Sequence, residues 1–281
     1  MQQRYRAASG AGFWYKAAVS LRLQSYGPWA IVAGASEGLG AAFARALAAQ
    51  GRNLVLVARR APVLERLAQS LRESRKIDVR IACCDLGAPD MSRHLAAAID
   101  GVEVGIGIYN AAHSFVGPFL DRPLEEALRV VDVNIRGPLQ FVYAIAPSMI
   151  ARGRGGLVLM SSLAGLQGAP HLATYAASKA FNTILAEGLW AELRPRGVDV
   201  LVSCAGAVRT PGYLKTTAGD APGTLDPDEV AASTLAALGK GPRIVPGGVN
   251  KLAAFLLTRM IPRRAAISLM GASTTSLKAL P

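Results

Sequence analysis

The feature that most restricts this chain is its passage from a short apolar run, Trp29–Ala33, through glycines at 34, 38 and 40 into an alanine-rich stretch. An apolar strand that turns at once into a helix leaves little room for side chains at the bend, and glycine lets the backbone turn sharply there. The first turn of such a helix offers free N–H groups and the positive end of its dipole, which suits a phosphate. Between a strand and a helix at the first βα turn, G-x-x-x-G-x-G reads as a pyrophosphate cradle rather than a plain tight turn.

Short β-rich runs then alternate with longer helical patterns. The further strand candidates are Asn53–Ala58, Val79–Cys84, Val104–Tyr109, Leu157–Met160, Val198–Ser203 and Arg243–Val245. Several are apolar almost throughout, as expected of parallel strands covered on both faces. Gly40–Gln50 and Pro62–Ser74 carry Ala and Leu at helical spacing. Asp226-Pro227-Asp228-Glu229 reads as a cap, a first-turn proline and early acids opening another helix. Right-handed crossovers between such strands give an α/β fold, a doubly wound parallel sheet of about seven strands with helices on both faces. Residues 1–28 form an extension, 29–246 the domain and 247–281 a tail.

With 281 residues, 51% of them hydrophobic, the chain can bury the core of one such domain. Cys83, Cys84 and Cys204 cannot complete a zinc site, so no metal is expected and they read as buried small side chains in a reducing compartment. The N-terminus lacks an unbroken apolar stretch and a small-residue cleavage site, and no run of roughly 18 apolar residues occurs. Neither a signal peptide nor a membrane-spanning helix is expected, and the chain is placed in the cytoplasm.

The net charge is +12, and its distribution is uneven. Residues 1–28 hold Arg4, Arg6, Lys16 and Arg22 with no acid; residues 230–281 hold seven basic residues with no acid; the centre is close to neutral. No nucleic-acid motif accompanies the charge, so nucleic acid is not expected as a partner. In the tail Leu252, Phe255, Leu256 and Met260 follow helical spacing among Lys251, Arg259, Arg263 and Arg264. Near the start Phe13, Trp14, Ala17, Ala18 and Leu21 share one helical arc. Two readings stay open: these segments dock on an anionic membrane surface, or they pack on the core or on a partner subunit.

The glycine turn and the residues after it resemble the classical short-chain dehydrogenase/reductase (SDR) family. Gly34, Ser36, Gly38, Leu39 and Gly40 fall in its cofactor turn. Asp85-Leu86 resembles its adenine-contacting pair. Asn110-Ala111 resembles its Asn-Asn-Ala-Gly turn, from which Tyr109 and Ala112 depart, and Ala33 replaces its usual leading threonine. Asn134 matches a mid-helix asparagine. Ser162 and Tyr175-Ala176-Ala177-Ser178-Lys179 match the catalytic segment, and Thr210 matches the residue that holds the nicotinamide carboxamide. The resemblance implies one Rossmann-type NAD(P)-binding catalytic domain over residues 29–246 and a homo-oligomer. It implies an oxidoreductase interconverting a carbonyl and a secondary alcohol. Ser162 then bonds the substrate oxygen, Lys179 also holds the ribose hydroxyls, and Asn134 seats a water that relays protons to Lys179.

A tyrosine with an ordinary pKa of roughly 10 is a poor base at neutral pH. Tyr175 and Lys179 lie one helical turn apart on one face, so the lysine cation and the positive charge of an oxidised nicotinamide both favour a phenolate. The rival reading is a non-catalytic NAD(P)-binding sensor or scaffold, which has no need of Ser162, Tyr175 and Lys179 together. The second strand ends Val57-Ala58-Arg59-Arg60, without the acid that binds ribose hydroxyls in NAD enzymes of this type. NADP(H) is therefore favoured over NAD(H), with Arg59 on the 2′-phosphate, although Glu37 runs against that choice.

The segments Ser114–Leu120 and Ala205–Leu225 should form the substrate mouth. Their Phe115, Val116, Phe119, Val208, Tyr213 and Leu214 favour an apolar small molecule: 3-oxoacyl, steroid-like or another ketone. His94 is read as a surface residue, and His113 and His171 as loop or pocket wall.

Overall fold

Alternate residues of the central strands pack into two separate cores, which is why those strands are apolar on both faces. The computed structural model describes residues 22–217 and 219–275. Its first elements are β1 (Trp29–Ala33), α1 (Gly38–Ala48), β2 (Asn53–Ala58), α2 (Ala61–Arg75), β3 (Val79–Cys83), α3 (Met91–Ala98) and β4 (Val104–Tyr109). Then come α4 (Leu124–Val131), a π-helical turn at Asp132–Arg136, α5 (Gly137–Arg152), β5 (Gly155–Ser162), α6 (Ala173–Leu193) and β6 (Val198–Ala205). The last elements are α7 (Pro211–Thr216), α8 (Pro227–Ala237), β7 (Arg243–Ile244), α9 (Gly248–Phe255), a π turn at Leu256–Met260, and α10 (Arg263–Thr275).

The seven strands form one parallel sheet in the order β3-β2-β1-β4-β5-β6-β7. Ala30, Val32, Leu54, Leu56, Ile106 and Ile108 share one core with Phe43 and Leu47 of α1, Leu64 of α2 and Val230 of α8. Ile31, Val55, Val57 and Leu157 share the other with Leu95 of α3, Phe141 and Ile145 of α5 and Leu193 of α6. Each fully buried side chain of this kind contributes about 1.5–3 kcal/mol, so the two layers fix the sheet between them. Strand order reverses between β1 and β4, and the carboxyl ends of these strands open a crevice there.

The bounds of β1, β2 and β4 are the expected ones, while β5 and β6 run longer than expected. β7 is cut to two residues, because only Val202 and Ser203 of β6 pair with it. The cysteines need one correction. Cys84 and Cys204 are buried, but Cys83 is exposed at the end of the edge strand β3, where burial falls off along the strand. The N-terminal arc from Phe13 to Leu21 lies outside the described residues. Among those described, no helix is long and apolar enough to cross a membrane, and no group of three His, Cys, Asp or Glu side chains could hold a metal.

Candidate active site

The chain has four residues in which to turn from β1 into α1. Gly34 takes φ +85°, and a Cβ there would stand 2.7 Å from Ala111 N. A Cβ on Gly40 would overlap the carbonyl oxygen of Gly34, so only glycine fits either position. Asn110 Nδ2 donates to Gly34 O at 3.1 Å, and the N–H groups of Asn110 and Ala111 donate to Ala33 O at 2.9 and 3.0 Å. These bonds tie the turn after β1 to the turn after β4. No side chain caps α1, so its first N–H groups are left for a ligand in the cleft, as the diphosphate of a dinucleotide requires.

A cleft of about 1220 Å³ crosses the carboxyl ends of the strands. Gly34, Ser36, Gly38, Leu39, Arg59, Asp85, Leu86, Asn110, Ser162, Tyr175, Lys179 and Thr210 all line it, while Gly40 and Asn134 stand behind its wall. β5 delivers Ser162, and α6 delivers Tyr175 and Lys179. Lys179 is buried, and its Nζ donates to Met160 O at 3.0 Å and lies 5.5 Å from the Tyr175 ring centroid. Burial pulls its pKa down to about 8. Partial burial pushes the Tyr175 phenol up, and a hydrogen bond with Ser162 pulls it back.

Asn134 sits in the first π turn. Its Nδ2 donates to His113 O and to Ser178 Oγ, both at 2.9 Å, and its Oδ1 accepts from His113 N at 2.8 Å. Ser178 Oγ in turn donates to Tyr175 O at 2.7 Å. Both amide hydrogens of Asn134 are thus spent joining the β4 loop to the helix that carries Tyr175. Tyr109, one of the departures from the family motif, steadies the same turn by donating from Oη to Val133 O at 2.6 Å.

Charges at the end of the cleft lined by Arg59 and Asp85 are paired in ways the sequence hid. Asp85 accepts from Arg129 Nη2 on both oxygens, at 2.6 and 2.7 Å, and from Gly87 N at 3.0 Å. Burial alone would push this carboxyl up; the Arg129 guanidinium, with Gly87 N–H, outweighs it and holds the pKa below the usual carboxylate range. Arg60 lies 2.9 Å from Glu37 Oε1 and 3.2 Å from Ser36 Oγ, so it neutralises the acid that ran against a 2′-phosphate.

The rim corrects the expected substrate mouth. Val116, Val208 and Tyr213 line the cleft, but Phe115 is buried beneath its loop, and Phe119 and Leu214 are exposed outside. His113 is in the wall, its Nε2 3.0 Å from Glu126 Oε2. His171 is outside the lining, and its carbonyl accepts from Gly117 N at 3.0 Å. His94 is exposed beside Asp90. The tail, unassigned to the site by sequence, supplies Ala253, Leu257, Leu269 and Met270 to the wall. Asn250 of α9 donates from Nδ2 to Gly223 O at 2.9 Å and to Pro246 O at 3.1 Å, clamping the loop before α8. Arg209 grips the same loop through Asp220 at 2.7 Å and Asp226 at 2.9 Å. Asp226 stands at the N-cap position of α8, yet its carboxylate goes to Arg209 instead of the helix.

The short chain dehydrogenase family model matches residues 28–220. The chain is 32% identical over 235 residues to the 7beta-hydroxysteroid dehydrogenase of Mediterraneibacter gnavus, covering 81% of this chain and 89% of that protein. A solved structure concerned with 7beta-hydroxysteroid dehydrogenase stereoselectivity matches with a TM-score of 0.83 at 29% identity, over 89% of this chain and 98% of that one. The short-chain dehydrogenase from Sphingobium yanoikuyae in complex with NADPH matches with a TM-score of 0.72 at 29% identity, over 78% of this chain and 86% of that one.

Proposed function

The chain belongs to the short-chain dehydrogenase family, an NAD(P)-dependent oxidoreductase of carbonyl and alcohol carbons, and we propose that its substrate is an apolar ketone and its cofactor NADP(H). The observation that carries this reading is the meeting of Ser162, Tyr175 and a buried Lys179 in one cleft, beside a glycine turn that leaves the first N–H groups of α1 uncapped. A sensor or scaffold would leave that meeting without a purpose.

The bound nicotinamide supplies or accepts the hydride. Ser162 Oγ holds the substrate oxygen, and Tyr175 Oη gives that oxygen its proton in reduction and takes it back in oxidation. The Lys179 cation stabilises the phenolate left behind, and its two N–H bonds not directed at Met160 O serve the ribose hydroxyls. Asn134 sets the position of the Tyr175 helix, with a relay water beside its turn. Asp85 and Leu86 border the adenine, and Thr210 holds the carboxamide. Arg59, with Arg60 and Ser36 next to it, receives the 2′-phosphate. In the same reading the enzyme is cytoplasmic and pairs with further copies through the exposed Leu124, Leu128, Tyr143 and Ile184 of α4, α5 and α6. Its basic tail brings it to anionic membranes.

Oxidation of NADPH and NADH, followed across steroid-like, 3-oxoacyl and simple ketones, tests the reading. Arg59→Ala should weaken NADPH binding at least tenfold and barely touch NADH, since a charge-assisted contact is worth about 1.5–3 kcal/mol. Equal losses for both cofactors would make Arg59 structural and reject the NADP(H) assignment.

A further inference from the structure

The tail has two unlike sides. Its inner side, Ala253, Leu257 and Met270, walls the cleft. Its outer side carries Leu252, Phe255 and Met260, which are 60%, 55% and 65% exposed, with Val249 and Leu256 beside them. Leu269 belongs to both, lining the cleft while 54% exposed, so it stands at the mouth. The segment is anchored rather than loose: Arg263 Nη1 donates to Leu166 O at 2.8 Å, and Thr274 Oγ1 donates to Pro170 O at 2.7 Å. An apolar strip of this extent on a protein surface marks something that covers it.

The charge around the strip says what covers it. Lys251, Arg259, Arg263 and Arg264 are exposed among these apolar side chains, and no acidic residue follows residue 229. A second copy docked on the same face would bring like charges together, whereas acyl chains beneath anionic headgroups complement both the apolar strip and its cations. We infer that the outer face of the tail lies on an anionic bilayer, and that its inner face receives an apolar ketone directly from the acyl layer. The tail is then the sill between bilayer and cleft. The docking deepens the membrane contact proposed above and does not need the catalytic reading; the passage of the ketone rests on the proposed substrate.

Sedimentation of the full chain with phosphatidylcholine vesicles, with and without phosphatidylserine, at low and high salt, tests the docking. Binding should need phosphatidylserine and fall with salt. The double variant Lys251→Gln/Arg259→Gln should weaken it about thirtyfold, at roughly fivefold per cation, and Leu252→Ser/Phe255→Ser should abolish it. None of these four residues lines the cleft, so NADPH binding stays unchanged in both variants. No binding, or binding indifferent to lipid charge and salt, overturns the docking. So does a loss of oligomer in the serine variant without vesicle binding by the wild type, which would give the face to a second copy.

For the passage, a vesicle-dissolved ketone and a short water-soluble ketone are reduced side by side. The serine variant should lose about tenfold on the first and nothing on the second, the change expected when several apolar anchors are removed from a lipid contact. Equal rates for wild type and variant on the vesicle-held ketone overturn the sill. If the wild type reduces neither ketone, the functional reading has failed, and the docking is still decided by sedimentation.

Discussion

The floor of the cleft and its rim are built by different means. On the floor, main-chain atoms fix one another: the turn after β1 packs on the turn after β4, and Lys179 is held by a strand carbonyl. At the rim, beyond the backbone bridge that joins Val208 to Leu225, the loop is held by side chains, among them Arg209, Tyr213 and Asn250, and large apolar groups face outward. Proton and hydride transfer need reacting atoms at fixed separations, which suits the floor. Substrate admission needs a surface that can yield, which suits the rim. The same substitution logic therefore has unequal consequences in the two places.

Lys179→Met should have the largest effect. Turnover falls by about 10²–10⁴, the range of a lost acid–base partner. Stability moves the other way. The folded-state pKa of Lys179, about 8, is below its ordinary 10.5, so the folded protein carries a penalty for a buried ammonium at low pH. Above pH 8 the folded state sheds that proton first, and this group's contribution to stability rises until about pH 10.5. The Met variant should lack that rise and, without cofactor, be more stable near pH 7, by on the order of 1–3 kcal/mol. Thermal unfolding across pH checks it; a less stable variant at pH 7 would deny the penalty.

Gly40→Ala comes next. Its Cβ overlaps Gly34 O, so about 1–3 kcal/mol of overpacking strain should appear in unfolding, with NADPH affinity down at least tenfold in fluorescence titration. Asn250→Ala, at the rim, should be milder. Freed from Gly223 O, the loop should raise KM for an apolar ketone about three- to tenfold, worth about 1 kcal/mol, and leave NADPH affinity nearly unchanged. Should the rim variant disturb NADPH as much as the floor variant does, the two regions are one unit and the contrast is void.

Much of the floor was legible because its signals are local. The strand, the glycine turn and the alanine-rich helix are contiguous, and Tyr175 and Lys179 are four residues apart on one helix. Arg129 reaches Asp85 across 44 positions, and Asn250 reaches Gly223 across 27, so no spacing announced either. Phe115, Phe119 and Leu214 show the same limit at the rim. Loops and helices as short as α7 show no period to assign directions, so apolar character alone placed all three in the mouth, and packing buried one and exposed the others. The β7 edge and exposed Cys83 failed for a related reason, because edge position depends on strand order, which a run of apolar residues does not encode.

Tyr175→Phe separates proton delivery from every other contribution, since the ring keeps its packing and only the hydroxyl beside Ser162 is removed. Turnover of an apolar ketone and the dissociation constant of NADPH are measured on the same preparation. Turnover should fall by about 10²–10⁴ while the dissociation constant stays within about twofold. Near wild-type turnover, on a ketone whose chemical step limits the rate, would refute Tyr175 as the proton donor.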